Sequence, residues 1–138
     1  MRYITCIHAL NLPCALETCG DWHQSALQWE RPQTSESEGS FFGDYGIEAD
    51  HRIPEHPGET FYVANTIRAC LDLLYEGNFA VAQGMNEDFI CNDIYDDEVF
   101  SLVYSMREHE NWENISEFMK REYRMKWLNY LKQKGDVW

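Results

Sequence analysis

Two glycine-bearing stretches hold the side chains best suited to moving protons. "GDWH", residues 20–23, carries Asp21 and His23, and "FGDYGIE", residues 42–48, carries Asp44 and Glu48, with His51 shortly after. An imidazole beside carboxylates is the usual means of general acid–base work near neutral pH. The expected chemistry is hydrolase-like, with His23 as acid or base and Asp21, Asp44 or Glu48 as carboxylates. The plainer alternative is that Asp21 caps a helix beginning at Trp22, with His23 in its first turn, while Asp44 only makes a turn before Gly46.

A second donor set overlaps the first. His8, Cys14, Cys19 and His23 offer two nitrogens and two sulfurs within 16 residues, the ligand types of a tetrahedral zinc site. The C-x4-C and C-x3-H spacings lack the long gap that precedes the second ligand pair of a zinc finger. Cysteine also serves as a small core residue. The nucleophile motif GxSxG is missing, and so are the phosphate-binding loops GxxxxGK[ST] and GxGxxG, so neither an ATPase nor a dinucleotide enzyme is expected and no cofactor is assigned.

Charge points to a different class of function. The net charge is -13. Residues 1–119 hold 22 acidic and 5 basic groups, whereas residues 120–138 hold 6 basic and 2 acidic ones. Such a body repels phosphates, which argues against direct nucleic-acid binding and against anionic membranes. Acidic residues gather at Glu87, Asp88, Asp93, Asp96, Asp97 and Glu98, and five tryptophans, Trp112 and Trp138 among them, are available as anchors. The leading expectation is a small acidic cytoplasmic binding module. It would act as an inhibitor, antitoxin or immunity-type factor, of the kind phages and mobile elements encode, by occupying the basic surface of a protein partner such as a nucleic-acid-processing enzyme. Exposed aromatics would also suit a homodimer. The alternative is a solvated acidic face with its aromatics in the core.

The elements that must position these groups are read from periodicity. The length fits one domain, residues 1–138. "RYITCIHAL", residues 2–10, reads as a central strand, and residues 32–40 as an exposed loop. A short strand is expected around Phe41–Ile47. Residues 61–76 show a helical period that Gly77 stops. Asn78 caps a short helix through Met85, and Phe89 and Ile90 anchor an acidic connector. Asp96 caps a helix with Val99, Phe100, Val103 and Met106 inward. Asn114 and Glu117 resemble a capping box before a last helix whose stripe runs from Ile115 to Leu131. Its cations, Lys120 to Lys134, are read as complementing the helix dipole, with a small anion or RNA site as the alternative. Five cysteines without a CxxC read as reduced cytosolic thiols, and neither a signal peptide nor a membrane span is apparent. The sum is an α+β domain: a small N-terminal sheet packed against three or four helices.

Overall fold

The computed structural model describes residues 1–136; Trp138 lies outside them. Four short strands, β1 (Arg2–Ile4), β2 (Thr34–Glu36), β3 (Ile47–His51) and β4 (Phe61–Ala64), form one sheet in the order β2-β1-β4-β3. The central pair, β1 and β4, is parallel, with Ile4 opposite Val63, and both edge strands run antiparallel to their neighbours. Each central strand feeds a helix directly: β1 leads into α1 (Cys6–Leu10) and β4 into α2 (Thr66–Glu76). Then follow α3 (Phe79–Ala82), a π-helical turn at Met85–Ile90, α4 (Asp96–Tyr104), α5 (Trp112–Tyr123) and α6 (Met125–Gln133). The α+β architecture is as expected, and one apolar cluster runs from Tyr3 to Leu131.

Several boundaries differ from the sequence reading. Residues 2–10 are not one strand. Cys6 adopts φ 56° and turns the chain into α1, whose buried Cys6, Ala9 and Leu10 follow helical spacing. The β-branched composition of this stretch conceals that period. Phe41–Ile47 is a series of turns through Gly43 and Gly46, and the strand begins only at Ile47. The helix read over 61–76 starts at Thr66, because Asn65 caps it by accepting from Arg68 N at 2.8 Å. Residues 32–40 contribute β2 to the sheet edge. Asp96 is the first helical residue of α4, not its cap. The last helix begins at Trp112 with Asn111 before it, so Asn114 lies inside the first turn and makes no capping box. It also breaks at Arg124, φ 55°, which separates α5 from α6.

One buried cation ties sheet, turns and helix together. Arg68 on α2 is fully buried, and all five of its N–H groups find acceptors. Nε donates to Asp72 Oδ1 at 2.9 Å, Nη1 to the carbonyls of Gly43 and Tyr45, and Nη2 to Tyr3 Oη and Ser40 Oγ. Tyr3 and Thr5 in turn donate to Asp72 Oδ2. The turn at 43–46 needs glycine here. A Cβ on Gly46, φ 72°, would stand 2.8 Å from Arg68 Cβ and 2.9 Å from Asn65 Oδ1.

The helical end is aromatic. Trp127 is fully buried, donates to Ser116 Oγ at 3.1 Å, and packs against Phe100, Trp112 and Tyr130. Tyr123 is buried beside Phe100 with no partner for its hydroxyl, and burial pushes its phenol pKa up.

Two stability predictions follow from these environments. Arg68→Met should cost about 3–5 kcal/mol in urea unfolding, since it strands Asp72 and two turn carbonyls. A loss below about 1 kcal/mol would remove Arg68 from its central place. Tyr123→Phe should be neutral or stabilising by up to about 1 kcal/mol, because the deleted hydroxyl is unsatisfied; clear destabilisation would mean that Oη has a partner in solution.

Candidate functional site

Two segments distant in sequence are clamped together at one end of the molecule. The loop after α1 carries Cys14 to Gly20, and the π turn and its exit carry Gly84 to Tyr95. Phe89 O accepts from both Cys19 N and Gly20 N, at 3.0 and 2.9 Å. Asn92 Nδ2 donates to Glu17 O, and Glu17 N donates to Tyr95 Oη, both at 2.9 Å. A Cys19–Cys91 disulfide closes the clamp, with Cα atoms 5.9 Å apart. This corrects the expectation of five reduced thiols and removes the support it lent to a cytosolic setting. Cys6, Cys14 and Cys70 remain free. Burial pushes the Cys70 and Cys6 thiols up, and nearby Glu76 raises Cys6 further, so neither is an available nucleophile. Gly20 is required where the loop meets α1: with φ 72°, a Cβ there would lie 2.7 Å from Leu10 O.

The clamp presents two apolar side chains to solvent. Trp22 is 84% exposed and Ile94 is 67% exposed, the two highest values among exposed large hydrophobics of the described residues. Each stands three residues beyond a cysteine of the disulfide. Near them in sequence or on the clamped segments, Glu17, Glu87, Asp88, Asp93 and Asp97 are exposed. A polar hollow of about 400 Å³ lies among Asn86, Glu87, Cys91, Asn92 and Asp93.

The other acidic candidates are engaged within the fold. Glu98 accepts from Tyr45 Oη, and burial together with that bond pushes the Tyr45 phenol up. Asp96 holds Lys126 at 3.1 Å, a contact that raises the lysine's pKa. Trp112 is half-buried against the core between Tyr104 and Trp127. It takes part in the helical packing.

The proposed acid–base set divides into separate groups. His23 Nδ1 meets Asp21 Oδ1, and Asp21 is positioned by buried Asn11, whose Nδ2 donates to Asp21 Oδ2 and whose Oδ1 accepts from His23 N. No long helix starts at Trp22; only a 3-10 turn at Gln24–Ala26 forms. Ala26 and Trp22 face solvent, while Trp29 packs inward. Glu48 instead pairs with His51 Nε2 at 2.7 Å and accepts from Ala15 N at 2.9 Å. Asp44 is exposed and its carbonyl accepts from Ile47 N in the turn.

The metal set is likewise dispersed. Cys19 is bonded to Cys91. His8 uses both ring nitrogens locally: Nδ1 accepts from Gln33 N at 3.1 Å and Nε2 faces Gln28 O at 2.9 Å. Those roles fix the Nε2–H tautomer. Cys14 lies between Thr18 and Thr66 at 3.5 Å from each hydroxyl. Among the described residues no group of three or more His, Cys, Asp or Glu side chains is arranged to hold a metal ion.

Sequence reasoning missed Ile94, Asn92 and Tyr95. The signal was a lone apolar residue in the turn-forming run "CNDIYDD", where isoleucine has no periodic partner.

Reducing the disulfide, or replacing Cys19 and Cys91 together by Ser, should lower stability by about 3–4 kcal/mol, as expected for a crosslink spanning 72 residues. The urea midpoint with and without dithiothreitol checks this; an unchanged midpoint would mean that the hydrogen bonds hold the clamp alone. No family model, curated protein or solved structure matches the chain.

Proposed function

We propose that the chain is a protein-binding module whose clamped end docks on a basic partner surface. The observation that carries this reading is the exposure of Trp22 and Ile94, each three residues beyond a cysteine of one disulfide, on segments rich in exposed carboxylates. Large apolar side chains facing water incur a hydration cost that burial in a partner would relieve. Tryptophan in particular dominates binding energy where it fills a pocket. The rim of Glu17, Glu87, Asp88, Asp93 and Asp97 would steer a basic partner and select against acidic ones. The disulfide and its flanking hydrogen bonds hold the anchors in place before binding, so little ordering entropy is lost on association.

Occupation of a basic surface would block whatever that surface binds. A nucleic-acid-processing enzyme is the natural target class, and inhibitor, antitoxin or immunity-type factor is the corresponding role. Self-association through the same end would set two acidic rims against each other, so a heterologous partner fits better than a homodimer. A disulfide of this kind persists most readily in an oxidising setting, which makes a cytoplasmic location dependent on how well the bond resists reduction there.

The test is affinity capture from the source cells with three baits: the native chain, Trp22→Ala with Ile94→Asp, and Asp93→Lys with Asp97→Lys. The native chain should retain one stoichiometric basic protein that is released as salt rises. Anchor removal should weaken its binding by about tenfold or more, and charge reversal should abolish the salt dependence. Equal retention by all three baits would overturn the reading.

A further inference from the structure

A small hollow opens where α2 meets the turns before β3. Its floor is the sheet: Tyr3 and Ser35 stand opposite each other on β1 and β2, on the side where Tyr3 Oη reaches Asp72. Asp72, Tyr75 and Glu76 line it from α2, three and four residues apart and so on one helix face, and Phe41 and Phe42 line it from the turns. The volume is about 280 Å³. The rings are gathered. Phe41 lies 5.6 Å from Tyr75, tilted by 33°, and meets Phe42 edge-on at 4.9 Å. Phe41 and Tyr75 are 49% and 40% exposed, so aromatic surface faces water here.

The two carboxylates of the hollow differ. Asp72 is fully engaged: Tyr3 and Thr5 donate to Oδ2 and Arg68 to Oδ1. Glu76 has one weak partner, the Cys6 thiol at 3.7 Å from Oε2, and no cation pairs with it among the described residues. A carboxylate in open water needs no cation, but Glu76 is partly drawn out of water. Burial pushes its carboxyl above the ordinary value, the Cys6 bond opposes that, and the Asp72 charge adds to it. No cation lines the hollow. Arg68 packs over the Tyr3 and Phe42 rings, yet its donors are held by Asp72, Tyr3, Ser40 and the carbonyls of Gly43 and Tyr45.

We propose that this hollow binds a small methylated ammonium ion of the choline type, its charge near Glu76 and its methyl groups against Phe41 and Tyr75. An aromatic face attracts a cation through the ring quadrupole, more strongly as water is excluded. A carboxylate partly out of water adds a coulombic attraction greater than at an open surface. Methylation decides the class. A primary ammonium brings three N–H donors that need acceptors, and with Asp72 engaged only Glu76 and the serine hydroxyls remain to serve them. A quaternary ammonium has no donor to satisfy and offers apolar methyls to the rings. Anions are disfavoured by both carboxylates. The volume is just below the usual range for drug-sized ligands, which suits an ion as small as choline. The hollow shares no residue with the clamped acidic end, and it does not depend on the docking reading.

Chemical shifts of backbone amides and aromatic rings report the titration of choline into the full chain. Saturable shifts at Phe41, Phe42, Tyr75 and Glu76 are expected. The uncharged isostere of choline, with carbon in place of nitrogen, should bind at least about tenfold more weakly, which separates cation recognition from apolar uptake. Glu76→Gln should weaken choline by about tenfold. Phe41→Leu and Tyr75→Leu keep apolar area but remove a ring face, and each should weaken it by about threefold or more. Asp50→Asn, on the far edge strand β3, should leave it unchanged. Thermal melts verify folding of each variant, and Phe41→Leu carries the test should Glu76→Gln fail to fold. No saturable binding, shifts centred elsewhere, equal affinity for the isostere, or unchanged affinity in Glu76→Gln and the ring variants would each overturn the proposal.

Discussion

The guanidinium of Arg68 sits out of water at the junction of three parts of the chain, and the architecture depends on its being satisfied there. A buried charge is tolerable only when its donors are paired, and here the acceptors come from α2 itself, from β1 and from the 40–46 turns. Asp72, one helical turn along, supplies the countercharge and also receives Tyr3 and Thr5. The network therefore specifies register: shifting β1 by one residue would turn Tyr3 away from α2 and leave both ions short of partners. Arg68 also packs over the Tyr3 and Phe42 rings, at 4.9 and 5.7 Å, so its flat faces are covered as well as its edges.

That network builds the sheet end of the molecule, and the opposite style of construction builds the clamped end. Around Cys19 and Cys91 the backbone is irregular: Gly84 and Cys91 both adopt positive φ, and the intervening turn is π-helical. Irregular backbone needs partners outside regular ladders. Phe89 O, Glu17 and Asn92 supply them, and Glu122 on α5 adds bonds to Gly84 N and Asn86 N at 3.3 and 3.0 Å. Met85, Phe89 and Ile90 anchor the turn in the core while the residues after Cys91 stay at the surface, which is how a side chain such as Ile94 comes to be exposed on a fixed backbone.

Legibility in the sequence followed the reach of the signal. The buried faces of α2 and α4, the Gly77 stop and the Asn78 cap were readable, because each rests on neighbours within a turn or two. The β1–α1 junction was not. It depends on Cys6 taking a left-handed conformation that only the pairing of β1 between β2 and β4 makes worthwhile. The break at Arg124 is hidden in the same way, since Tyr123 and Trp127 keep helical spacing across it. Of the site residues, Asp21 with His23 was a local pair and was found as one. The Cys19–Cys91 bond joins residues 72 apart and was invisible to spacing rules. His8 looked like a ligand because its two hydrogen-bond partners lie 20 and 25 residues away.

The charge pattern acquires a meaning in three dimensions that the totals hide. Several cations of the basic tail are engaged by the helices that carry them. Lys120 and Arg121 sit in the last turn of α5 and Lys132 in that of α6, where they offset the partial negative charge of exposed carbonyls. Lys126 is bound to Asp96 and Lys134 lies over the Tyr130 ring. These cations are thus tied to the helical half, and their effect beyond a Debye length is small. What remains in residues 1–119 is an acidic body in which the exposed Arg2, Arg31 and Arg52 are outnumbered by carboxylates. Glu36 stands opposite Arg2 across the strand pair, and Glu48 and Asp50 lie on β3, so the strands themselves carry more carboxylates than cations and share the acidic character of the clamped end.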